Sequence, residues 1–217
     1  MSLLAACLSG VAGVAELLAP RRCAGCDLLL DELETGFCAG CAPLVELAPP
    51  EFLPPALAAA GFVYGGPLAE AIQALKYQAR TEHSETLGRM LAQVARELLG
   101  LVDVVVPVAL HPKRLRARGF NQAALIAAPV ARALGVPLDV TCLRRVHDTE
   151  NQARLTRVAR AANLRGAFRG TIDGGGRRVL LIDDVRTTGA TLAAAAEALL
   201  NSNHCLVRTL ALARVEL

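Results

Sequence analysis

The chain has 217 residues, enough for one large domain or for one domain with a small module, and 53% of them are hydrophobic. Aromatic residues make up only 3%, which argues against a stacking platform for single-stranded nucleic acid. The net charge of +3 hides an asymmetry: residues 1–100 hold six basic and eleven acidic side chains, whereas residues 101–217 hold seventeen basic and nine acidic ones. The basic half suits a polyphosphate, a nucleic acid, or both.

The first eighteen residues predict a short amphipathic helix. Apolar side chains recur there at helical spacing, at Leu3, Leu4, Cys7, Val11, Val14 and Leu18. The stretch ending at Cys7 resembles a lipoprotein cleavage site, but the residues before it carry no positively charged region and no apolar core of adequate length. No apolar run reaches the length of a membrane span. We therefore expect a cytoplasmic protein without membrane insertion.

Four cysteines form two Cys-x2-Cys turns separated by eleven residues, namely Cys23, Cys26, Cys38 and Cys41. Two such turns predict a closed, tetrahedral, structural zinc site. A redox Cys-x-x-Cys motif needs only one pair, and disulfides do not persist in a reducing cytoplasm. Whether the module also serves as a docking surface stays open. The remaining cysteines, Cys7, Cys142 and Cys205, lie among apolar residues and are expected in the core.

Beyond a proline-rich linker within residues 43–57, the pattern alternates between strands and helices. We expect strands at 61–64, 101–108, 136–143, 166–169, 179–182 and 206–213, and helices from 67, over 82–99, over 121–134 and over 192–200. This order predicts an α/β domain with a mostly parallel sheet flanked by helices. The expected division is residues 1–50 for the N-terminal helix, zinc module and linker, and residues 51–217 for the α/β domain. The loops after Val106, Leu143 and Ile182 should then face one crevice.

The most informative stretch is the strand over 179–182 and the loop that follows it. The loop begins with two acids and continues with hydroxyls and a glycine: Asp183, Asp184, Val185, Arg186, Thr187, Thr188, Gly189, Ala190 and Thr191. A strand, a loop and a helix N-terminus form a phosphate site, because backbone N–H groups and the helix dipole converge there. The two acids repel phosphate and suit the diol of a ribose or a metal-chelated sugar. A buried strand capped by Asp and Thr is the alternative interpretation.

This run resembles the phosphoribosyl pyrophosphate (PRPP) motif of type I phosphoribosyltransferases. The resemblance implies that Asp183 and Asp184 hold the ribose hydroxyls and count among the catalytic residues. It implies that the run from Val185 to Thr191 binds the 5-phosphate of PRPP. It further implies Mg²⁺, which bridges the pyrophosphate and the ribose hydroxyls and prefers oxygen ligands.

The same resemblance assigns the loop over residues 107–122 to the pyrophosphate. The backbone around Val108 and Ala109 would face the diphosphate, and Lys113 or Arg114 would neutralise its charge. A solvated basic helix start is the alternative for this charge run.

The basic segment over residues 144–165 carries six arginines and corresponds to the flexible loop that closes over PRPP. Closure would exclude water from a transition state that resembles an oxocarbenium ion. Arg144 and Gln152 are the candidates in this segment for a catalytic role at the pyrophosphate. A surface helix is the alternative and is compatible with a lid.

Taken together, the motifs resemble the ComF family of bacterial competence proteins. The matching features follow in order: the four cysteines of the two turns, Lys76-Tyr77, His111, Arg118 to Gln122, Thr149, Gln152, Leu155, Arg160, Asn163 and the run from Asp183 to Thr191. The resemblance implies a zinc module joined to a phosphoribosyltransferase domain and a link to the uptake of transforming DNA. Two positions depart from the family: Ala109 stands where proline is common, and Arg186 occupies a variable slot.

Two functional hypotheses follow. The first is an enzyme that transfers phosphoribosyl from PRPP to an unknown acceptor, with no side chain identified as general base. The second is a non-catalytic protein that senses PRPP or binds single-stranded DNA, with other competence proteins as partners. Arginines could follow a phosphate backbone even where aromatic residues are sparse.

Overall fold

The computed structural model describes residues 20–49, 58–148, 164, 166–171 and 173–216. In chain order the elements are β1 (Ala58–Val63), α1 (Gly66–Tyr77), α2 (His83–Ala95), β2 (Val104–Pro107), α3 (Pro112–Arg118), α4 (Gln122–Leu134), β3 (Leu143–Arg145), β4 (Phe168–Gly170), β5 (Arg178–Arg186), α5 (Ala190–Leu200) and β6 (Leu206–Arg214). Short 3-10 turns cover Ala42–Leu44 and Arg96–Leu98.

The main sheet has four parallel strands in the order β1-β6-β5-β2, and β3 and β4 form a separate antiparallel pair. In β5 the side chains of residues 179–182 are fully buried, as expected for a strand covered on both faces. Pro107 at the end of β2 lies opposite Ile182 in the register, so β2 ends beside the residue that precedes the acid pair. The prediction of a parallel sheet flanked by helices is confirmed.

Alternate residues of β5 enter two separate apolar layers. Leu180 and Ile182 join the layer formed with α1, α2 and α4, whereas Val179 and Leu181 join the layer formed with α5 and the β3–β4 pair. This period of two is the pleat of a strand buried on both sides. The central strand is therefore fixed in position. It continues to Arg186 instead of ending at Ile182 as predicted, so Asp183 and Asp184 lie in its C-terminal half.

The cysteine module belongs to the first of these layers. Cys23, Ala24 and Phe37 are buried in the same cluster as the apolar face of α1. A Cβ added to Gly25 would stand 2.5 Å from the Cβ of Pro67, which shows how closely the module approaches the first turn of α1. The division of the chain near residue 50 stays a prediction.

One predicted strand is largely absent. Of the residues 136–143, Leu143 begins β3, and the rest contribute only a bridge between Leu138 and Val105 with one backbone hydrogen bond on each side of it. Pro137 has no N–H for the ladder. The Asp139 carboxylate then accepts hydrogen bonds from the amides of Thr141 and Cys142, which turns the chain away from the sheet.

The ends of other helices and strands differ from the predicted ones because of local turns. The helix expected over 82–99 ends at Ala95 and continues as a 3-10 turn before Gly100, whose φ is +71°. The strand expected over 101–108 is limited to β2. Cys142 is buried as expected, but Cys205 is exposed because it stands in the turn before β6. Cys7 lies outside the described residues.

Candidate functional site

The carboxyl end of β5 brings the two acids and the hydroxyl loop together. Asp183 and Asp184 are 9% and 4% exposed, which is unusual for carboxylates and must be matched by partners. The amide of Asp184 donates to Oδ1 of Asp183 at 2.9 Å. Nζ of Lys76, in the last turn of α1, lies 2.9 Å from Oδ1 of Asp184.

Burial and the adjacent Asp184 carboxylate raise the pKa of Asp183 to about 7. The amide of Asp184 and the positive charges of Lys76 and Arg145 act in the opposite direction on this pKa. The acid pair therefore changes its charge near neutral pH. Strongly perturbed acids of this kind cluster at functional sites.

The loop after the acids forms a small pocket at the N-terminus of α5. Its wall includes Asp183, Val185, Arg186, Thr187, Gly189, Ala190, Thr191 and Leu192. Gly189 precedes α5 with φ of +77°, a left-handed conformation that favours glycine. The amide of Ala190 donates to Oγ1 of Thr188 at 3.4 Å, so this hydroxyl contacts the first amide of the helix. The remaining hydroxyls and amides of the turn suit an anion.

The loop after β2 lies beside the acid pair. The amide of Val108 donates to the carbonyl of Ile182 at 2.8 Å, and Nδ2 of Asn121 donates to the carbonyl of Val108 at 3.0 Å. Asn121 also caps α4 by accepting a hydrogen bond from the amide of Ala123. Asn121 thereby fixes the backbone at Val108 and Ala109, which the sequence assigned to a diphosphate.

The basic residues of this loop form the start of a helix, α3, which the sequence analysis allowed as the alternative. Nδ1 of His111 accepts a hydrogen bond from the amide of Lys113 at 3.3 Å, so His111 is the N-cap of this helix. Asp148 faces this helix start: its carboxylate lies 3.9 Å from Nδ1 of His111, 3.7 Å from Nζ of Lys113 and 3.5 Å from Nε of Arg114. The cluster shows that the helix start attracts anionic groups.

The predicted lid is described only at its two ends. Arg144 is exposed on β3, whereas Arg145 is half-buried and stacks over Phe168 at 5.4 Å. The Asp183 charge acts on the pKa of Arg145, which burial lowers, so Arg145 rather than Arg144 is the arginine of β3 nearer the acids. Gln152 and most of the lid lie outside the described residues.

A cleft of about 640 Å³ opens between the β2 loop and β3. Its walls are mostly apolar, with Leu110, Leu115, Val140 and Leu143 among the lining side chains. It brings the loop after β2 and the residues near Leu143 to one crevice. The loop after Ile182, which was predicted to face the same crevice, lines the pocket at the start of α5 instead.

The four cysteines of the N-terminal module converge as the spacing predicts. The Sγ atoms of Cys23, Cys26, Cys38 and Cys41 all lie within 4.8 Å of one another. A Zn–S bond of about 2.3 Å in a tetrahedron gives S–S separations of about 3.8 Å. The Sγ atoms of Cys26 and Cys38 are 3.6 Å apart, which fits this geometry.

Electrostatics also favour a metal in this cluster. Burial acts to raise the pKa of Cys23, but amides of Cys38, Cys26 and Gly25 outweigh it and lower the pKa to about 7. Burial raises the pKa of Cys41 strongly, and the neighbouring thiols add to this rise. Four thiols this close cannot all ionise without a cation, so the site can hold a metal such as zinc.

Several residues around the acids had no assigned role in the sequence analysis. Lys76 appeared only as part of a family motif, and Arg145 and Asp148 only as members of the basic segment. Helix α3 carried a usable signal, since Pro112 stands at its first position and Gly119 ends it with φ of +85°. The contact of Lys76 with Asp184 spans 108 residues, and spacing alone does not predict such a pair.

None of the helices in the described part of the chain is long and apolar enough to cross a bilayer.

Known proteins resemble the chain at several levels. A sequence model of the phosphoribosyl transferase domain matches residues 121–216. The DNA utilization protein YhgH of Salmonella typhi is 37% identical over 158 residues, which cover 68% of this chain and 70% of that protein. Competence protein F of Haemophilus influenzae is 36% identical over 137 residues, which cover 59% of this chain and 60% of that protein.

Among solved structures, a purine phosphoribosyltransferase from Pyrococcus horikoshii superposes with a TM-score of 0.39 at 21% identity, covering 60% of this chain and 73% of that chain. The motifs, the parallel sheet, the cysteine cluster and the sequence relatives agree. The chain belongs to the ComF family of competence and DNA utilization proteins, with a phosphoribosyltransferase domain and an N-terminal cysteine cluster.

Proposed function

We propose that the protein binds PRPP with Mg²⁺ at the carboxyl end of β5 and transfers its phosphoribosyl group to an acceptor. The observation that carries the proposal is the acid pair, which is buried and adjacent to a hydroxyl-rich helix N-terminus. Asp183 and Asp184 hold the ribose hydroxyls in this proposal. The turn from Thr187 to Thr191 holds the 5-phosphate through its amides and hydroxyls.

The leaving pyrophosphate is assigned to the loop after β2 and to the lid. The backbone from Val108 to Ala109 and the side chain of Lys113 face it, with the amide of Ala109 as the donor because the amide of Val108 already bonds to Ile182. From the lid, Arg144 adds positive charge and Gln152 adds a hydrogen-bond donor. Asp148, which lies against Lys113 in this structure, must release that position to the incoming anion. Mg²⁺ held by the oxygens of PRPP would supply further positive charge against the pyrophosphate.

The zinc cluster has a structural role in this proposal, and the protein acts in the cytoplasm. Four thiolate ligands form a closed site without an open position for substrate. The family names point to the handling of DNA, and we extend this role to the present protein.

Titration of the protein with PRPP and Mg²⁺ by calorimetry tests the binding step. The double variant Asp183→Asn, Asp184→Asn removes both charged acceptors while keeping their shape, and we expect affinity to fall by about 100-fold or more, since hydrogen bonds to charged groups contribute about 1.5–3 kcal/mol each. Glu70→Gln, an exposed carboxylate on α1, is the matched control and should bind as the wild type does. Equal affinity in the double variant would show that the acids are not the ribose site.

A non-catalytic role in binding PRPP or single-stranded DNA is the second candidate, because the basic residues around α3 and β3 suit a phosphate backbone. Pyrophosphate release, measured against nucleobases and other acceptors, separates the two. Tight PRPP binding without release for any acceptor favours the second candidate. If DNA binds through phosphates, its affinity should fall steeply with salt, by about 0.7 log units per log unit of salt for each phosphate neutralised on a single strand.

A further inference from the structure

We infer that Lys76 is a positioning residue of the sugar site: its ammonium holds Asp184 so that the second carboxylate oxygen accepts a hydroxyl of the bound ribose. This inference rests on the proposed function, because it concerns the same site. It assigns a role to a side chain on α1, an element outside the strand and loops that carry the PRPP motif.

The two oxygens of Asp184 differ in their surroundings. Oδ1 lies 2.9 Å from Nζ of Lys76, whereas Oδ2 is buried and has no hydrogen-bond partner within the described residues. A buried acceptor without a donor is unfavourable, so such an atom marks a place for a ligand donor. A sugar hydroxyl supplies that donor, and the phosphate groups of the same ligand do not.

The neighbouring acid cannot take this role in the same way. Oδ1 of Asp183 is already bonded to the amide of Asp184, its own neighbour in the chain. A second carboxylate this close makes ionisation of both acids costly. The ammonium of Lys76 lies against Oδ1 of Asp184, which offsets that repulsion on the Asp184 side and leaves Oδ2 to accept a hydroxyl.

The location of Lys76 makes its ammonium a fixed charge. Its neighbour Leu75 is fully buried in the core, and the Lys76 side chain itself is only 18% exposed. The last turn of a helix also favours a cation, because the helix dipole is negative there. The charged groups around the acid pair are thus Lys76 from α1 and Arg145 from β3.

The test compares Lys76→Met, which keeps the length and the packing of the stem, with Lys76→Arg, which keeps the charge. Calorimetry with PRPP and Mg²⁺ should show an affinity about 10- to 100-fold weaker for Lys76→Met, the range expected for losing a charged hydrogen-bond arrangement. Lys76→Arg should retain most of the wild-type affinity for PRPP. Arg89→Met removes one positive charge from an exposed part of α2 and is the matched control, expected to bind as wild type does.

A second readout separates positioning from mere support of the fold. Since Lys76 lowers the pKa of Asp183, its removal should move the pH dependence of PRPP affinity toward higher pH, whereas Lys76→Arg and Arg89→Met should leave it in place. If Lys76→Met does not fold, the double variant Lys76→Met, Asp184→Asn removes the buried unpaired charge. Because Lys76 acts through Asp184, the double variant should bind PRPP as weakly as Asp184→Asn alone, and a further loss of affinity in the double variant overturns the inference.

The outcomes distinguish the two proposals. No PRPP binding by the wild type overturns the proposed function and, with it, this role of Lys76. Binding by the wild type with unchanged affinity and pH profile in Lys76→Met overturns the role of Lys76 alone. Weaker binding with a shifted profile, recovered by arginine, supports both.

Discussion

The buried position of Asp183 lowers the stability of the folded protein when its carboxyl group is ionised. Its carboxylate is buried, and burial together with the charge of Asp184 raises its pKa to about 7. An acid whose pKa is raised by folding weakens the folded state when it ionises. The penalty is absent below about pH 4, where the acid is protonated in both states, grows up to about pH 7 and stays complete above it.

We therefore expect Asp183→Asn to raise the melting temperature at pH 8 and to leave it nearly unchanged at pH 4. The amide mimics the protonated acid, and its oxygen can still accept the amide of Asp184. Thermal unfolding over this pH range, followed by circular dichroism, measures the difference. A lower melting temperature of Asp183→Asn at pH 8 would contradict the prediction.

In the pair of Asp103 and Arg178, the folded structure lowers the pKa of the acid, whereas it raises the pKa of Asp183. The side chain and the amide of Arg178 lower the pKa of Asp103 to about 2. This contribution to stability is present above about pH 4 and is lost as the pH falls through about 2. Asp103→Asn should thus lower the melting temperature at pH 7 and have little effect at pH 2, as the same unfolding assay will show.

At the scale of elements, the contact between α2 and α4 depends on one small residue. A Cβ on Gly88 would stand 2.5 Å from Cγ of Pro129 and 2.7 Å from the carbonyl oxygen of Ile126. The second of these atoms belongs to the helix backbone and cannot rotate away. The two helices can therefore approach this closely only with glycine at this position.

Gly88→Ala should destabilise the protein by about 1–2 kcal/mol. Overpacking against a backbone atom falls in the upper part of its usual range, about 2–3 kcal/mol, and the better helix propensity of alanine returns about 1 kcal/mol. Urea unfolding provides the measurement. Gly65→Ala is the matched control, since an added Cβ there meets no described atom within 4 Å and the backbone is extended. A stability of Gly88→Ala equal to that of the control would contradict the close contact.

The elements also show what the sequence could and could not predict. Strand β5 was predictable because four consecutive aliphatic residues before two acids fit a strand buried on both faces. The strand expected over 136–143 was not formed, because Pro137 and Asp139 override the apolar pattern with local backbone chemistry. The acid pair could be identified from its motif. The Lys76 contact could not, since it depends on how α1 packs across the sheet.

At the scale of the whole molecule, the cysteine module and the α/β domain share one apolar layer. A Cβ on Gly36 would stand 2.0 Å from Cγ2 of Thr86, so the module also fits closely against α2. Arg80 adds a polar contact, with its guanidinium 2.7 Å from the carboxylate of Asp27. Loss of the metal should therefore affect the stability of the whole chain rather than of a separate segment.

Cys23→Ser should release the metal and lower a single melting transition by roughly 10 °C or more, because structural zinc contributes on the order of 10 kcal/mol to the folding of its site. Metal analysis and scanning calorimetry give the two measurements. Cys205→Ser, which changes an exposed cysteine outside the cluster, is the matched control. Unchanged metal content would remove the zinc assignment, and two separate transitions would show that the module unfolds alone.

Helix α1 joins these two parts of the molecule from end to end. Its first turn carries Pro67, against which Gly25 of the cysteine module rests, and its last turn carries Lys76 beside Asp184. A helix of this length is a stiff rod of about 18 Å. A displacement of its first turn would therefore also move its last turn, which carries Lys76. Under the proposed function, loss of the metal would therefore shift Lys76 relative to Asp184 and weaken the binding of the sugar while both acids stayed in place.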